Sequence, residues 1–393
     1  ETARQLRLSP FYGDLKKAGA VFGSKNGWER PLWFAPKGTQ PVDQLDFLKP
    51  GWKKYAAKEH QTVRESVALI DQSSFSKFEI IGEGTLKLLQ RLCVSNMDKP
   101  VGSVIYTQMC NQNGGTEADI TFIRLKENHF YLITGAGFGV RDSDWIRRNI
   151  TSQSSVHIFE VTSGKAVLNL VGPRSRNVLE SASDTEVSNK SMKFSTAKEI
   201  TIGSANVLAV RIGYVGELGF ELHIPTEYAS HVYKVLWNAG QNENIANVGY
   251  RAIESLRMEK GYLYWSSDIT PDYTPFEAGV GFRVHLHSKG DFVGRAALEK
   301  QSLNGLSKKL CTFTCDTDLP VTGGEAILLN DNVVSLATSA SYGYSVQKTI
   351  LRGYLEIEHW EEVNFSVEVF GERHPVYRDS SPIYDPTNQA LKT

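Results

Sequence analysis

Hydrophobic and polar positions follow two different periods along the chain, and the balance between them changes with position. Between about 60 and 260, stretches of period two alternate with stretches of period 3.6, which predicts strands interspersed with helices. The clearest helices are predicted at Glu227–Ala239 and Tyr250–Lys260, each followed by a glycine that ends it. After about 285 strand patterns dominate, with strict alternation from Val363 to Val369. The pattern therefore predicts an α+β body followed by an all-β C-terminal domain.

Two glycine-rich turns place carboxylates where a ligand can approach the backbone closely. The first, Gly114-Gly115, precedes Asp119 at the start of a predicted strand. The second spans Gly216–Gly219 and leads into a strand of alternating apolar residues, so Glu221 and His223 share its opposite face. Such carboxylates are more often ordinary turn or strand-edge residues than ligands, and the residues alone leave both possibilities open.

A third glycine-rich turn, Gly135–Gly139, follows the strand pattern Phe130–Thr134 and precedes a helix pattern. A dinucleotide-binding turn has glycines at its first, third and sixth positions. Here the sixth position is Val140, and the extra glycine comes one place early. We therefore predict a tight strand-to-helix turn and neither a flavin nor an NAD site.

Composition narrows the class of protein. The chain has 393 residues, which favours two or three domains. Lys+Arg 43 and Asp+Glu 44 leave a net charge of -1, so neither a nucleic-acid nor a membrane partner is predicted. The four cysteines are too scattered for a disulfide framework, and no residue set has the spacing of a zinc site, so no metal is predicted. His285 and His287 are predicted to share the solvated face of a strand.

The pattern divides the chain into three segments. Residues 1–55 form a lead-in that is rich in glycine, proline and aromatic residues, and its aromatic content predicts packing against a larger body and not a disordered tail. Residues 56–280 form the α+β region, with two subdomains, and residues 281–393 form the C-terminal β-barrel domain. The first residue is Glu1 and not methionine, so a targeting peptide is not visible in this sequence.

Five motifs stand in a fixed order. They are Gly114-Gly115-x-x-x-Asp119, Tyr214-x-Gly216-Glu217-x-Gly219-Phe220-Glu221, Glu254-Ser255-Leu256-Arg257-Met258-Glu259-Lys260-Gly261, Thr274-Pro275-Phe276-Glu277-Ala278-Gly279 and Asp291-Phe292-Val293-Gly294-Arg295. This ordered set resembles the aminomethyltransferase family, which includes the folate-binding protein of the glycine cleavage system. Over essentially the whole chain, the sequence is most similar to the C-terminal folate half of sarcosine dehydrogenase-type members. Dimethylglycine dehydrogenase and the regulatory subunit of pyruvate dehydrogenase phosphatase share the architecture.

The resemblance implies a three-domain cloverleaf around a central folate cavity, with a small β-barrel or jelly roll as the third domain. It implies tetrahydrofolate as the cofactor of this chain and FAD only in a separate N-terminal flavin half. The flavin half would oxidise an N-methyl group to an iminium, and this folate half would capture the carbon as 5,10-methylenetetrahydrofolate. By the same resemblance, residues 1–55 are the tail of the flavin half, and the protein is located in the mitochondrial matrix.

Residue roles are also implied by matching positions. Asp119 corresponds to the family's catalytic aspartate, which accepts the proton of the folate nitrogen, and Glu221 to the carboxylate that binds the pterin. Tyr106 and Tyr214 correspond to tyrosines of the cavity wall, although half-buried sheet aromatics would give the same pattern.

One position departs from the glycine-cleavage members, because Ile253 stands where they carry an arginine. Sarcosine dehydrogenases also have isoleucine there, so the change indicates a subfamily. Arg251 and Arg257 are then candidates for holding that edge of the folate, although Arg257 is better explained as a partner of Glu254 at i,i+3. The alternative function is a non-catalytic regulatory protein that keeps the fold, or a dimethylglycine dehydrogenase-type folate half.

Overall fold

The structure is a computed structural model, and it describes residues 2–44, 46–151, 155–380 and 382–393. The α-helices in these ranges are α1 (Tyr12–Lys17), α2 (Lys53–Glu65), α3 (Thr85–Leu92), α4 (Gly139–Arg148), α5 (Ser175–Ala182), α6 (Ala229–Ala239), α7 (Tyr250–Glu259), α8 (Arg295–Asn304) and α9 (Gln389–Lys392). None of the helices in the described ranges is long and apolar enough to cross a membrane.

The strands fall into one hairpin and three larger sheets. In chain order they are β1 (Ala20–Lys25), β2 (Trp28–Phe34), β3 (Val67–Asp71), β4 (Ser76–Ile81), β5 (Val104–Cys110), β6 (Thr116–Lys126), β7 (His129–Thr134), β8 (His157–Glu160), β9 (Lys165–Val171), β10 (Ala197–Ile202), β11 (Ala205–Val210), β12 (Gly219–Pro225), β13 (Ile245–Asn247), β14 (Lys308–Cys315), β15 (Ala326–Leu329), β16 (Asn332–Leu336), β17 (Ser339–Gly343), β18 (Lys348–Glu356), β19 (Phe365–Val369) and β20 (Glu372–Asp379).

The six-stranded sheet has the order β10-β11-β12-β9-β3-β13 and covers the largest hydrophobic core. Phe220, Leu222 and Ile224 of β12 are fully buried in this core, where they pack with residues of α5 and α6. Because side chains alternate across a strand, Glu221 and His223 point away from the core. This is the orientation that the sequence pattern predicts.

The five-stranded sheet has the order β5-β6-β7-β4-β8 and a core of its own. Asp119 lies inside β6, which starts at Thr116, so the prediction that it begins a strand is wrong by a few residues. The pairing with β5 explains the difference, because the ladder already continues from Cys110↔Thr116. The strand before the Gly135–Gly139 turn, β7, is antiparallel to both β4 and β6. The turn therefore does not belong to a parallel βαβ unit.

The C-terminal sheet has seven antiparallel strands in the order β16-β15-β19-β20-β14-β18-β17. It is curled, because its edge strand β16 approaches β18 at Gly353, where a side chain would meet Ser335 and Leu336. The alternation predicted from Val363 holds from Phe365 onward, but Val363 itself precedes β19 and is 73% exposed.

His285 and His287 do not lie in a strand, contrary to the prediction. The segment follows a short 3-10 helix at Gly281–Arg283 and bonds to separate backbone groups of the five-stranded domain. The His285 amide donates to the Val94 carbonyl, and its Nδ1 accepts from the Asn96 amide at 3.3 Å. These contacts replace the regular ladder that a strand requires.

The lead-in packs against the body, as its aromatic content predicts. Phe11 of this segment is fully buried in the core of the six-stranded sheet. The Glu59 carboxylate in α2 accepts backbone hydrogen bonds from Phe34 at 2.7 Å and Gly249 at 2.8 Å, which ties the β1–β2 hairpin to the start of α7. Burial raises the pKa of Glu59 to about 8.

Candidate functional site

All three larger sheets meet at a cavity of about 1040 Å³. The five-stranded sheet contributes Asp119, the six-stranded sheet contributes Glu221, and the C-terminal sheet contributes Arg352 to its wall. Sites between packed domains are common places for small-molecule binding. The two carboxylates singled out from the sequence therefore face the same space.

Asp119 is held by its neighbours on β5. Gln108 lies directly opposite in the antiparallel register, and its Nε2 donates to Asp119 Oδ1 at 2.7 Å. The Tyr106 hydroxyl also bonds to the carboxylate. Burial raises the pKa of Asp119 to about 6, although both hydrogen bonds and the positive charge of Arg283 limit the rise. A carboxyl group with a pKa in this range suits proton acceptance near neutral pH.

The glycine turn before β6 fixes the position of this strand. A Cβ on Gly115 would lie 1.8 Å from the Pro271 carbonyl oxygen, so only glycine fits. The Thr116 amide and hydroxyl both donate to the Tyr273 carbonyl, at 3.0 Å and 3.1 Å. The close contact with the 271–273 segment therefore fixes the position of β6, and with it the position of Asp119 in the cavity wall.

Tyr106 and Tyr214 both line the cavity. The Tyr214 hydroxyl donates to the Leu263 carbonyl at 2.5 Å, and its ring stacks on Tyr262 with centroids 5.8 Å apart. Burial raises the pKa of both tyrosines, and for Tyr106 the charge of Asp119 raises it further. Both side chains are therefore neutral phenols, which present an apolar ring face and a hydrogen-bonding edge.

Glu221 and His223 are adjacent on the cavity face of β12. The distance from His223 Nε2 to Glu221 Oε2 is 3.8 Å, and His223 Nδ1 lies 3.0 Å from the Tyr131 hydroxyl. His223 is only 2% exposed, and burial lowers its pKa. The imidazole is therefore neutral, whereas Glu221 keeps 15% of its side chain exposed.

The structure does not bring Arg257 to the cavity wall. Its guanidinium is 2% exposed and bonds to Asp268 at 2.7 Å, to the Ser339 hydroxyl at 2.8 Å and to the Glu254 carboxylate. These partners join α7 to β17 of the C-terminal sheet. The i,i+3 pairing with Glu254 that the sequence favoured is present.

Arg251 also lies away from the cavity wall. Its nearest acidic partner is Asp43, at 3.5 Å, and its guanidinium lies over the Trp52 ring at 4.5 Å from the centroid. Residue 251 is on the face of α7 that packs toward the lead-in, because Ile253 and Glu254 take the positions that face the cavity. The ligand-binding role suggested for this arginine therefore has no support from its placement.

Glu217, in the second glycine turn, has a structural role. Its carboxylate accepts hydrogen bonds from Arg64 at 2.9 Å and from the Tyr384 hydroxyl at 2.7 Å, and it is almost fully buried. Gly216 adopts a φ of 84°, and a Cβ there would lie 2.2 Å from Lys260 Cγ. The turn is thereby fixed between α2, α7 and the C-terminal segment.

Two residues that surround Asp119, Gln108 and Arg283, were not identified from the sequence. Gln108 requires knowledge of the β5–β6 register, and Arg283 stands in a 3-10 helix with no periodic pattern. The Arg283 guanidinium lies 5.3 Å from the Tyr106 ring centroid and adds a positive charge near Asp119. Its position just after the Thr274–Gly279 motif is the one signal in the sequence that marks it.

Other polar atoms of the cavity residues lack a partner within the described part of the chain. They are His223 Nε2, Tyr250 Oη, Trp265 Nε1, Arg283 Nε, Thr312 Oγ1 and Arg352 Nε. Because buried polar atoms are rarely left unpaired, these atoms fit a ligand with several polar groups. In the same described residues no group of three or more His, Cys, Asp or Glu side chains is arranged to hold a metal ion. The cavity is large enough for a folate-sized molecule.

Comparison with known proteins agrees with this architecture. Residues 11–288 match the GCVT N-terminal domain, and residues 308–385 match the glycine cleavage T-protein C-terminal barrel domain. The glycine cleavage system aminomethyltransferase T of Bartonella henselae has the same fold, with a TM-score of 0.83 over 97% of this chain and 99% of that chain at 24% identity.

Two longer relatives are similar over almost the whole chain. Mitochondrial sarcosine dehydrogenase of Homo sapiens is 32% identical over 99% of this chain and 47% of that protein. The mitochondrial pyruvate dehydrogenase phosphatase regulatory subunit of Mus musculus is 37% identical over 96% of this chain and 44% of that protein. The chain thus spans about half the length of these relatives. From the two matched domains and the shared fold, the chain belongs to the glycine cleavage T-protein, or aminomethyltransferase, family.

Proposed function

We propose that this chain binds tetrahydrofolate in the central cavity and accepts a one-carbon unit, which leaves as 5,10-methylenetetrahydrofolate. The unit would come from the iminium product of N-methyl amine oxidation, as in a sarcosine dehydrogenase-like enzyme. The observation that carries the proposal is that Asp119 and Glu221 line the same cavity, Asp119 with a pKa raised to about 6 and Glu221 on the cavity face of β12.

Asp119 is the proposed proton acceptor. Bound tetrahydrofolate supplies the nucleophilic nitrogen, which becomes cationic as it takes up carbon. The Asp119 carboxylate is oriented by Gln108 and Tyr106, so its free electron pairs can accept that proton and stabilise the developing charge. The hydrogen bonds from Tyr106 and Gln108, together with the positive charge of Arg283, limit the rise in the pKa of the carboxyl group that burial causes.

Glu221 is the proposed pterin ligand. The amino-pyrimidinone edge of a pterin offers two parallel N–H donors, and a carboxylate matches them as it matches a guanidinium. Tyr106 and Tyr214 would contact the ring system from the cavity wall. We assign no folate contact to Arg251 or Arg257, whose guanidinium groups are bound elsewhere.

The wider setting is also a proposal. A flavin-bearing half or subunit would produce the iminium, because side chains do not accept hydride, and FAD would be held only there. The relatives that are twice as long support this arrangement. The names of two of these relatives include the word mitochondrial, which supports a mitochondrial location, and we propose the matrix for this chain. No membrane or nucleic-acid partner is proposed.

A second function is favoured by one comparison. The regulatory subunit of Mus musculus is 37% identical, which is more than the 32% of human sarcosine dehydrogenase. A non-catalytic regulatory protein would keep the fold and the packing residues without needing the proton acceptor. A dimethylglycine dehydrogenase-type folate half is the nearer variant of the first proposal, at 33% identity to the human enzyme.

Calorimetric titration of the purified chain with tetrahydrofolate tests the proposal. We expect one molecule bound per chain, weaker binding by Glu221→Ala and unchanged binding by Arg251→Ala, which serves as the control outside the cavity. Absence of binding to the folded wild-type chain would contradict the proposal and favour the regulatory function.

A further inference from the structure

His223 has one ring nitrogen bound and the other free, next to the carboxylate proposed to hold the pterin. We propose that His223 is a specificity-determining residue whose Nε2–H donates to the oxygen at C4 of the pterin ring. The inference rests on the proposed function and deepens it, since it states which pteridines the site accepts.

The position of His223 is set by β12. It is two residues after Glu221 and therefore on the same face of the strand, and both side chains line the cavity. Nε2 has no hydrogen-bond partner within the residues that the structure describes, although the side chain is 2% exposed. An unpaired polar atom so deeply buried at a cavity wall indicates a ligand atom as its partner.

The hydrogen bond at the other nitrogen determines which tautomer is present. The Tyr131 hydroxyl lies 3.0 Å from His223 Nδ1, and no second partner for this hydroxyl is found in the described residues. Burial, with the charges of Glu79 and Glu221, raises the pKa of Tyr131, so its proton is retained. The phenol therefore donates to Nδ1, and the imidazole proton is on Nε2.

The opposite tautomer would be unfavourable at two places. A proton on Nδ1 would leave the buried Tyr131 O–H without an acceptor. It would also point the Nε2 lone pair toward the Glu221 carboxylate, 3.8 Å away. Burial of the ring lowers the pKa of His223 by more than the Glu221 carboxylate raises it, and the charge of Lys77 lowers it further, so the neutral ring carries a single proton.

Together Glu221 and His223 present two acceptors followed by one donor. The pterin edge presents the complementary order: the 2-amino group, N3–H and the C4 oxygen. The distance of 3.8 Å between His223 Nε2 and Glu221 Oε2 is too long for a hydrogen bond between them, so each atom remains available to an adjacent group of one ring.

The consequence is discrimination against pteridines that carry an amino group at C4. In such a ligand an N–H donor would face the Nε2–H donor, and N3, which carries no proton in the 4-amino ring, would face a Glu221 oxygen, so both positions would lose a hydrogen bond. A site built to form a hydrogen bond with one polar group of a ligand rejects analogues that cannot form that hydrogen bond.

The test compares dissociation constants for tetrahydrofolate and its 4-amino analogue, tetrahydroaminopterin, by calorimetry. For wild type we expect the 4-oxo ligand to bind more tightly by at least roughly 10- to 100-fold, the range that one unpaired buried group produces. His223→Leu should lower this ratio without abolishing it, because the unprotonated N3 of the 4-amino ring still cannot donate to Glu221. His223→Gln, whose side-chain amide supplies a donor, should restore most of the preference.

Tyr131→Phe provides a second variant that keeps the imidazole in place. Without the Tyr131 hydroxyl, Nδ1 loses its hydrogen-bond donor and the imidazole proton is no longer held on Nε2. The ratio of the two dissociation constants should then lie between the ratios of wild type and His223→Leu. A merely structural role for His223 would weaken both ligands equally and leave their ratio unchanged.

The results separate this inference from the function on which it rests. Failure of the wild-type chain to bind tetrahydrofolate would overturn both. Tight binding by wild type, with the same ratio in His223→Leu and Tyr131→Phe as in wild type, would overturn the role of His223 and leave the proposed function intact.

Discussion

Replacing Asp119 with asparagine should separate catalysis from binding. Asparagine keeps the Oδ1 acceptor that Gln108 bonds at 2.7 Å, so the side chain should stay in place. The amide cannot accept the proton of the attacking nitrogen, and loss of a general base typically costs about two to four orders of magnitude in rate. Tetrahydrofolate affinity should change little, because Glu221 lies on a different strand.

The raised pKa of Asp119 adds a prediction about pH. The folded-state pKa is about 6 and the ordinary value is 3.8, so the folded state binds the proton more tightly than the unfolded state. The stability contributed by this group is full below about pH 4 and is lost as pH rises through about 6. Asp119→Asn should therefore unfold at a higher temperature than wild type at pH 8, and the advantage should shrink at pH 4. At pH 8 the unfolding free energies of the variant and wild type should differ by at most about 3 kcal/mol from this cause.

The rate should be measured as 5,10-methylenetetrahydrofolate formed from tetrahydrofolate and formaldehyde or an iminium donor, after subtraction of the uncatalysed reaction. In wild type the rate should fall as pH drops through about 6, because the carboxylate becomes protonated. The residual rate of the variant should show no such step.

Unchanged turnover in a folded Asp119→Asn protein would refute the role of this residue as proton acceptor. Loss of turnover together with loss of folate binding would also refute the reasoning, because it would make Asp119 a binding group. Thermal unfolding at both pH values serves as the control for folding.

Three other predictions concern Glu221, two arginines and the flavin. Glu221→Ala should weaken tetrahydrofolate binding by about tenfold or more, since hydrogen bonds to a charged group contribute roughly 1.5–3 kcal/mol each. The melting temperature of the ligand-free protein should barely change. A large loss of that stability with unchanged affinity would show that Glu221 has a structural role. Arg257→Ala should cost about 3–5 kcal/mol of unfolding free energy in denaturant titrations, because it removes the ion-pair partner of the buried Asp268. The same change at the partly exposed Arg251 should cost less than about 1 kcal/mol, and equal costs would contradict the two placements. The purified chain should be colourless and release no flavin on denaturation, and a stoichiometric flavin spectrum would contradict the interpretation of the Gly135–Gly139 turn.

Local periodicity predicted the parts of the fold that depend on short-range pattern. The alternation along β12 correctly put Phe220 in the core and Glu221 on the opposite face, and the helix at Tyr250 ends at Glu259. The strand expected at His285 was wrong because the segment bonds to separate groups of another domain, which its own sequence does not reveal.

The site was harder to predict than the fold. Asp119 and Glu221 were predicted from the order of the sequence motifs. Gln108 was not predicted, because it reaches Asp119 through the pairing register of β5 and β6, and a register depends on two segments together. For Arg257 the helix pattern predicted the local partner Glu254. It could not predict Asp268, because that contact is made in the tertiary structure. The domain boundaries at 55 and 280 stay predictions.

A crystal structure of the chain with tetrahydrofolate bound tests the central claim most directly. We predict the pterin edge within about 2.6–3.2 Å of the Glu221 oxygens and the nitrogen that accepts carbon within the same distance of Asp119. A well-ordered ligand bound outside the cavity, or inside it with the pterin distant from both carboxylates, would contradict the account.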